Sequence, residues 1–227
     1  MATHLDLQDQ EHFDQLKAFW SQYGNLITWV LILALGSFAA WNGWNLWQRD
    51  QAGKASAMFE ELERAAQAGD AQRGGTVFAD LRTRYPRTAY AQQGALLAAK
   101  VHAEKGQTDA ALAALAWASE SAIDDEYRVI ARVRATGLLL DKKQYDAALA
   151  QIDAASQANG TQAFAALIAD RRGDVLLAQG KSDEARKAFE TAYKAMDEKL
   201  EYRRLIDAKL TALGAAPVQA AASGVAK

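Results

Sequence analysis

Residues 173–192 read GDVLLAQGKSDEARKAFETA, and this stretch is the clearest copy of a unit that recurs along the chain. Within it, an apolar run is interrupted at Gly180, and a second segment follows with the pattern Ala-x-x-x-Phe-x-x-Ala. The interrupting position returns every 37 residues, at Gly69, Gly106, Lys143 and Gly180. A fixed period of this size is typical of proteins that stack pairs of helices.

The four copies share small and apolar positions as well as the turn. In order along the unit, these positions are Leu62, Ala99, Thr136 and Gly173; Ala65, His102, Leu139 and Leu176; Gly74, Ala111, Ala148 and Ala185; Phe78, Leu115, Ile152 and Phe189; and Leu81, Ala118, Ala155 and Ala192. We expect the small residues to lie where the two helices of a pair cross, and the large residues to fill the space between successive pairs. A Gly, or Lys143, then ends the first helix in a tight turn, and Ser182 is the expected N-cap of the last second helix.

Composition agrees with a helical fold. The chain has only 2 Pro, and good helix formers dominate after residue 50, so the predicted class is all-α. The repeat resembles the tetratricopeptide repeat over about residues 55–213, which implies an α-solenoid of about four helix pairs. Because the period exceeds the usual length of about 34 residues, we expect longer turns between pairs. The first copy ends at Tyr85-Pro86 and is expected to act as a connector.

An apolar segment precedes the repeats. Residues 21–48 contain no charged side chain, a run of 28 positions, which is long enough to span a membrane as a helix. Tryptophan and tyrosine mark its two edges, as in the aromatic belts of membrane proteins: the membrane-interface residues are Trp20, Tyr23, Trp41, Trp44 and Trp47. A cleaved signal peptide is the alternative, but the acidic start and the length of the apolar run favour an uncleaved anchor.

The sequence therefore predicts four parts. Residues 1–22 form an N-terminal cytoplasmic segment, residues 23–47 a transmembrane helix and residues 48–213 the tetratricopeptide-like repeat domain. Residues 214–227 lack periodicity and are expected to form a disordered tail.

Motifs of enzymes and metal sites are missing from the sequence. We find no P-loop, no G-x-S-x-G, no H-E-x-x-H and no dinucleotide-binding glycine pattern. The chain has no Cys and 3 His, and His102 occupies a packing position of the repeat. The net charge of -2 argues against a broad nucleic-acid surface. We therefore predict a protein that is not an enzyme, with no catalytic residue, metal, cofactor or nucleic-acid partner.

Stacked helix pairs present a concave face lined by their first helices, and solenoids bind proteins there. If the geometry of the tetratricopeptide repeat applies, five charged side chains point into this groove. These candidate partner-binding residues are Lys100, Glu104, Asp141, Asp170 and Asp174. Each of them is equally compatible with a solvated surface charge.

The regions around the anchor carry a more specific resemblance. Residues 14–24 read DQLKAFWSQYG; the apolar run and its Trp-rich end follow, and residues 55–62 read ASAMFEEL. With the repeats behind it, this arrangement resembles the YfgM family, ancillary subunits of the bacterial SecYEG translocon. The resemblance implies an inner-membrane protein with a cytoplasmic N-terminus and a periplasmic repeat domain. Its implied partners are the translocon, a membrane-anchored periplasmic chaperone of the prolyl-isomerase type and exported client proteins, all held by binding alone.

Two alternatives remain open at this stage. Lys17 is the one basic residue shortly before the span, whereas Arg49, Lys54 and Arg64 follow it, so the positive-inside rule places the repeats in the cytoplasm. Large domains translocate largely regardless of charge, and the resemblance favours the periplasm. The same architecture also suits a membrane-anchored repeat scaffold that organises a cell-envelope or cell-division complex.

Overall fold

The computed structural model describes residues 7–214, and this part of the chain is helical throughout, with no β-strand. The elements are α1 (Leu7–Gln67), α2 (Ala71–Arg84), α3 (Ala89–Glu104), α4 (Thr108–Ser121), α5 (Asp125–Asp141), α6 (Tyr145–Gln157), a short 3₁₀ helix (Thr161–Phe164), α7 (Ala165–Ala178), α8 (Ser182–Ala195) and α9 (Tyr202–Ala212). The predicted all-α class is confirmed. The predicted tail falls almost entirely outside the described residues.

Helix α1 contains the apolar segment. It is 61 residues long, and its stretch from Lys17 has the length and hydropathy of a membrane span. Most large apolar side chains between Phe19 and Trp47 are exposed, with Leu33 at 67% and Trp41 at 68%. Exposed apolar surface of this extent is typical of a helix that spans a membrane.

The chain divides into two compact units. One extends up to Gln51 and the other begins at Ala52, within α1. In the second unit, the end of α1 contacts α2, and α3 with α4, α5 with α6 and α7 with α8 form three further pairs. The predicted solenoid of about four helix pairs is thus confirmed, and α9 packs against the last of them.

The four turns within the pairs are built identically. Gly69, Gly106, Lys143 and Gly180 have φ between 57° and 79°, the left-handed conformation that ends helices. The N–H of the next residue donates to a carbonyl five positions earlier, as in Gln107 to His102 at 2.9 Å and Lys181 to Leu176 at 2.9 Å. This Schellman arrangement explains why the turn keeps its place in every copy.

The predicted N-cap at Ser182 is wrong by one residue. Helix α8 begins at Ser182, and its N-cap is Lys181, which makes no side-chain capping bond. The position after the left-handed residue is the N-cap in all four turns, and only Asp70 uses its side chain there, accepting from the Arg73 N–H at 2.9 Å. The turn geometry, and not the capping side chain, sets where the second helix begins.

The small and large positions of the unit form the core. Gly173 lies against the ring of Phe189, so that a Cβ atom at residue 173 would be 2.5 Å from that ring. Phe189 also packs against Ile206 of α9, and Ile152 packs between α5 and Ile168 of α7. The expected roles of these positions are confirmed.

The first copy is not a loose connector. Its Leu62, Phe78 and Leu81 are buried as in the later copies, and Phe78 meets Trp117 of α4 edge-on, with 5.6 Å between the ring centroids. Pro86 ends this copy in the connection to α3 without disturbing the packing of the pair. The first copy of the repeat therefore belongs to the same core as the later copies.

Candidate partner-binding surface

One face of α3, α5 and α7, the first helices of the last three pairs, carries a stripe of incompletely buried side chains, and we call the surface formed by these stripes the inner groove. Within a helix the stripe follows spacings of three and four residues, which place side chains on one face, and it returns after 37 residues in the next helix. Its members are Tyr90, Gln93, Leu97, Lys100 and Glu104 on α3; Tyr127, Ile130, Arg134, Gly137 and Asp141 on α5; and Phe164, Leu167, Arg171, Asp174 and Ala178 at α7.

The stripes divide the inner groove into three bands. Aromatic side chains stand at the beginning of these three first helices, with Tyr90, Tyr127 and Phe164 in the same register. Basic side chains occupy the middle of the groove. Acidic side chains stand at the far ends of two helices, where Glu104 and Asp141 share one register. Each band therefore crosses several helices, although no two of its members are close in sequence.

A hollow of about 580 Å³ lies in the basic band, between α3, α5 and α7. Lys100, Arg134 and Arg171 line it, together with one acidic side chain, that of Asp141. Apolar groups, including Leu138 and Leu167, complete the lining. This mixture of apolar surface and a few charged groups is characteristic of ligand-binding hollows.

Three of the five predicted groove residues face this region. Lys100 and Glu104 are exposed and form an ion pair one helical turn apart, with 3.7 Å between Nζ and Oε1. Both also line a smaller hollow of about 230 Å³ between α1 and α3, beside Glu63. Asp141 is exposed at the rim of the larger hollow. The ion pair is a surface pair and contributes little to stability.

The expectation for Asp170 is corrected. Its side chain is fully buried, and it accepts hydrogen bonds from the Tyr202 hydroxyl at 2.7 Å and from Lys209 Nζ at 2.7 Å. Helix α9 thus covers it. Phe59, Leu96 and Val133 hold the equivalent register in the earlier copies, so Asp170 occupies a core position and not a groove position.

Asp174 has the groove register of Lys100 but is also engaged by α9. Lys209 Nζ lies 2.7 Å from Asp174 Oδ1, and Arg171 Nη1 lies 3.1 Å from Oδ2. Lys209 additionally stands 5.0 Å from the centroid of the Phe189 ring, close enough for a cation–π contact. The C-terminal end of the inner groove is therefore closed by this cluster.

The same cluster changes the acidity of Tyr202. Burial raises the pKa of Tyr202, and the hydrogen bond that its hydroxyl donates to Asp170 is the second cause; the pKa becomes about 12. Both effects disfavour the phenolate, because burial removes water and a second negative charge would face the carboxylate. Tyr202 therefore keeps its proton and its hydrogen bond across the physiological pH range.

Sequence reasoning missed Arg134 and Arg171. They occupy equivalent positions 37 residues apart, and both line the larger hollow. The repeat alignment was sufficient to find them, because the shared register of two equal charges marks one band of one face. The tyrosine and phenylalanine band was detectable in the same way.

The membrane-interface residues lie in the first compact unit. Trp20, Tyr23, Trp41, Trp44 and Trp47 are all exposed, and the rings of Trp44 and Trp47 are 5.0 Å apart, centroid to centroid. Trp20 lies over Gly24, with its ring within 3.2 Å of where a Cβ atom would stand. Their position at the membrane surface stays a prediction.

Comparisons with known proteins agree with this architecture. The family model described as a tetratricopeptide repeat-like domain matches residues 17–215. A protein of Neisseria gonorrhoeae named "Ancillary SecYEG translocon subunit" is 30% identical over 214 residues, which are 94% of this chain and 100% of that protein. The chain belongs to the family of ancillary SecYEG translocon subunits.

Two further members of the family carry the same name. The protein of Escherichia coli is 26% identical over 189 residues, covering 82% of this chain and 88% of its own length. The protein of Haemophilus influenzae is 28% identical over 186 residues, covering 82% of this chain and 89% of its own length. These matches confirm the resemblance to the YfgM family, and the family model matches the anchor region as well as the repeats.

Proposed function

We propose that the chain is an ancillary subunit of the SecYEG translocon in the bacterial inner membrane, and that it acts by binding, without catalysis. The observation that carries this proposal is the match with the gonococcal relative of that name over its whole length. The architecture supports it, because one continuous helix joins an exposed apolar segment to a repeat unit. Such an anchor raises the local concentration of the repeats near membrane partners, so that weak contacts suffice.

The finer part of the proposal concerns what the repeats hold. We infer that the repeat domain links exported client proteins to a membrane-anchored periplasmic chaperone of the prolyl-isomerase type. The inner groove supports this role, because it combines exposed charges such as Lys100 and Asp141 with apolar side chains. Surfaces of this mixed kind contact protein segments through apolar anchors and orient them through charges.

The proposed topology places the N-terminus in the cytoplasm and the repeats in the periplasm. Alkaline phosphatase fused after residue 213 is expected to be active, and a green fluorescent protein fused at the same place is expected to be dark. Fusions placed before the apolar segment serve as the opposite control. An inactive phosphatase beside a fluorescent fusion would reverse the topology, in agreement with the positive-inside count.

Partner identification tests the function directly. The tagged full-length protein would be purified from native membranes in mild detergent, and its partners identified by mass spectrometry. A matched control carries an unrelated single-span helix in place of residues 23–47. Enrichment of SecY with a periplasmic chaperone is the expected result. Enrichment of cell-division or cell-wall proteins without SecY would instead support the scaffold of an envelope complex.

A further inference from the structure

The bands of the inner groove differ in chemistry along each helix, and this order carries a prediction about what binds. On α5, Ile130 is one turn before Arg134, and Asp141 is two turns after it. At 1.5 Å per residue, these distances along the helix are about 6 Å and about 10 Å. A ligand thus meets an apolar contact, then a cation, then an anion.

Arg134 is the most available cation of the basic band. Its side chain is exposed, and it makes no ion pair or hydrogen bond with any residue whose side chain the structure describes. The other two cations of the hollow have acidic neighbours, since Lys100 pairs with Glu104 and Arg171 with Asp174. An exposed guanidinium beside apolar surface is suited to hold a carboxylate in two hydrogen bonds.

We propose that the inner groove binds protein segments in which an apolar side chain and an Asp or Glu stand two positions apart, in either order. This inference rests on the proposed binding function and specifies the chemistry of the bound segment. Two residues of an extended chain cover about 6.6 Å, which matches the separation of Ile130 and Arg134 along α5. In this arrangement the apolar side chain contacts Ile130, and the carboxylate pairs with Arg134.

The acidic band limits where the carboxylate of the bound segment can lie. A carboxylate shifted toward the C-terminal end of α5 approaches Asp141, which repels it. A segment whose apolar and acidic residues stand further apart therefore loses either its apolar contact or its ion pair. Specificity here comes from a repulsive element as well as from an attractive one.

Fluorescence anisotropy with the full-length protein in detergent tests the proposal. The probe is a short labelled peptide with a Leu-Ser-Glu core, and the comparison peptides carry Leu-Ser-Lys, Ser-Ser-Glu and the longer spacing Leu-Ser-Ser-Ser-Ser-Glu. The Leu-Ser-Glu peptide is expected to bind more tightly than each of the other three. Its affinity is also expected to fall as salt is raised, since the groove is exposed to solvent.

Variants of Arg134 give the decisive comparison. Arg134→Ala is expected to weaken the binding of the Leu-Ser-Glu peptide by about 10-fold, which is the loss typical of removing a hydrogen bond to a charged group. Arg134→Glu is expected to invert the preference toward Leu-Ser-Lys. Arg84→Ala, at an exposed position on α2, is the matched control and should bind as the wild type does. Circular dichroism verifies that each variant is folded.

Equal binding of the Glu and Lys peptides, or an unchanged preference in a folded Arg134→Glu variant, would overturn the inference. The proposed function has a separate readout, because co-purification with SecY is measured on membranes. If SecY co-purifies with the wild type while the peptides show no preference, only the acidic specificity fails. If the wild type does not retain SecY, the proposed function fails.

Discussion

At the scale of single residues, Gly173 sets how closely α7 and α8 approach. A methyl group at this position would stand 2.5 Å from the buried ring of Phe189, which itself is held by Ile206 and Lys209. We expect Gly173→Ala to destabilise the protein by about 1–3 kcal/mol, because overpacking outweighs the gain in helix propensity. Urea unfolding followed by circular dichroism measures this change.

Gly137 provides the matched control for that substitution. It also lies within a helix, α5, but a Cβ atom there would meet nothing within 4 Å. Gly137→Ala should therefore stabilise the protein by about 0.5–1 kcal/mol through helix propensity alone. If both alanines changed the free energy of unfolding in the same direction, close packing of Gly173 against Phe189 would not be the reason for glycine at this site.

Lys143 is the one residue other than glycine with positive φ in the described chain, at 57°. The left-handed conformation costs an L-residue with a Cβ atom roughly 1–2 kcal/mol, and glycine recovers this at some entropic cost in the unfolded chain. We expect Lys143→Gly to raise the free energy of unfolding by about 0.5–1 kcal/mol. The reciprocal variant Gly106→Lys, at φ of 73°, should lower the free energy of unfolding by a similar amount. If both substitutions changed the free energy of unfolding in the same direction, the cost of the left-handed conformation would not explain the result.

At the scale of elements, α9 depends on a buried charge cluster. Lys209 is within 2.7 Å of both Asp170 and Asp174, and Asp170 is fully buried. Removing the ammonium leaves a buried carboxylate without its cation, so Lys209→Met should destabilise the protein by about 3–5 kcal/mol. The measurement is thermal or urea unfolding of the full-length protein.

A double-mutant cycle separates the charge effect from lost packing. Asp170→Asn removes the buried charge while its amide oxygen still accepts from Tyr202. The double variant with Lys209→Met should therefore be more stable than the single Lys209→Met variant. Strictly additive losses would show that the two side chains do not interact in solution.

The helices and turns of the repeat were predictable because their causes are local. The left-handed turn residue, the small residue at a helix crossing and the large residue in the core each return at the same spacing of 37 residues, so a periodic pattern reveals them. The N-cap at Ser182 was placed one residue late because the Schellman turn, which a capping side chain does not reveal, makes Lys181 the N-cap. The extent of α1, from Leu7 to Gln67, was also not predicted, since nothing in a pattern of apolar residues states where a continuous helix ends.

The candidate site was predictable only in part. Lys100 and Asp141 were found from the geometry of the repeat, and Asp170 was misplaced because its charge suggested exposure. Only contact with α9 reveals that Lys209 and Tyr202 make burial of this carboxylate favourable. Helix α9 begins 37 residues after α7, so it starts in the register of a first helix. The burial of Asp170 is therefore decided by its contacts with α9, which its charge alone does not reveal.

At the scale of the whole molecule, a candidate membrane span and a candidate binding surface are joined in one chain. The two units differ in how their apolar side chains are buried. Within the repeat unit, apolar side chains such as Phe189 and Ile152 are buried in clusters of other apolar side chains. In the unit that ends at Gln51, apolar side chains such as Leu35 and Phe38 are exposed by 66% and 67%. Burial of this apolar surface in lipid stabilises the membrane-bound state, which keeps the repeats at high local concentration.

Tryptophan fluorescence tests whether residues 23–47 form the span. Residue 35 is the middle of this segment, and Trp44 is nine positions further along, about 13 Å at 1.5 Å per residue. In a hydrocarbon core about 30 Å thick, Leu35→Trp in a background without other tryptophans is therefore deep, and a variant retaining only Trp44 is near the surface. Lipids brominated near the chain end should quench the first most strongly, and lipids brominated near the headgroup the second. A variant retaining only Trp117, the tryptophan of the repeat unit, is the control, and neither brominated lipid should quench it. Identical depth profiles for the residue-35 and residue-44 probes would exclude this placement of the span.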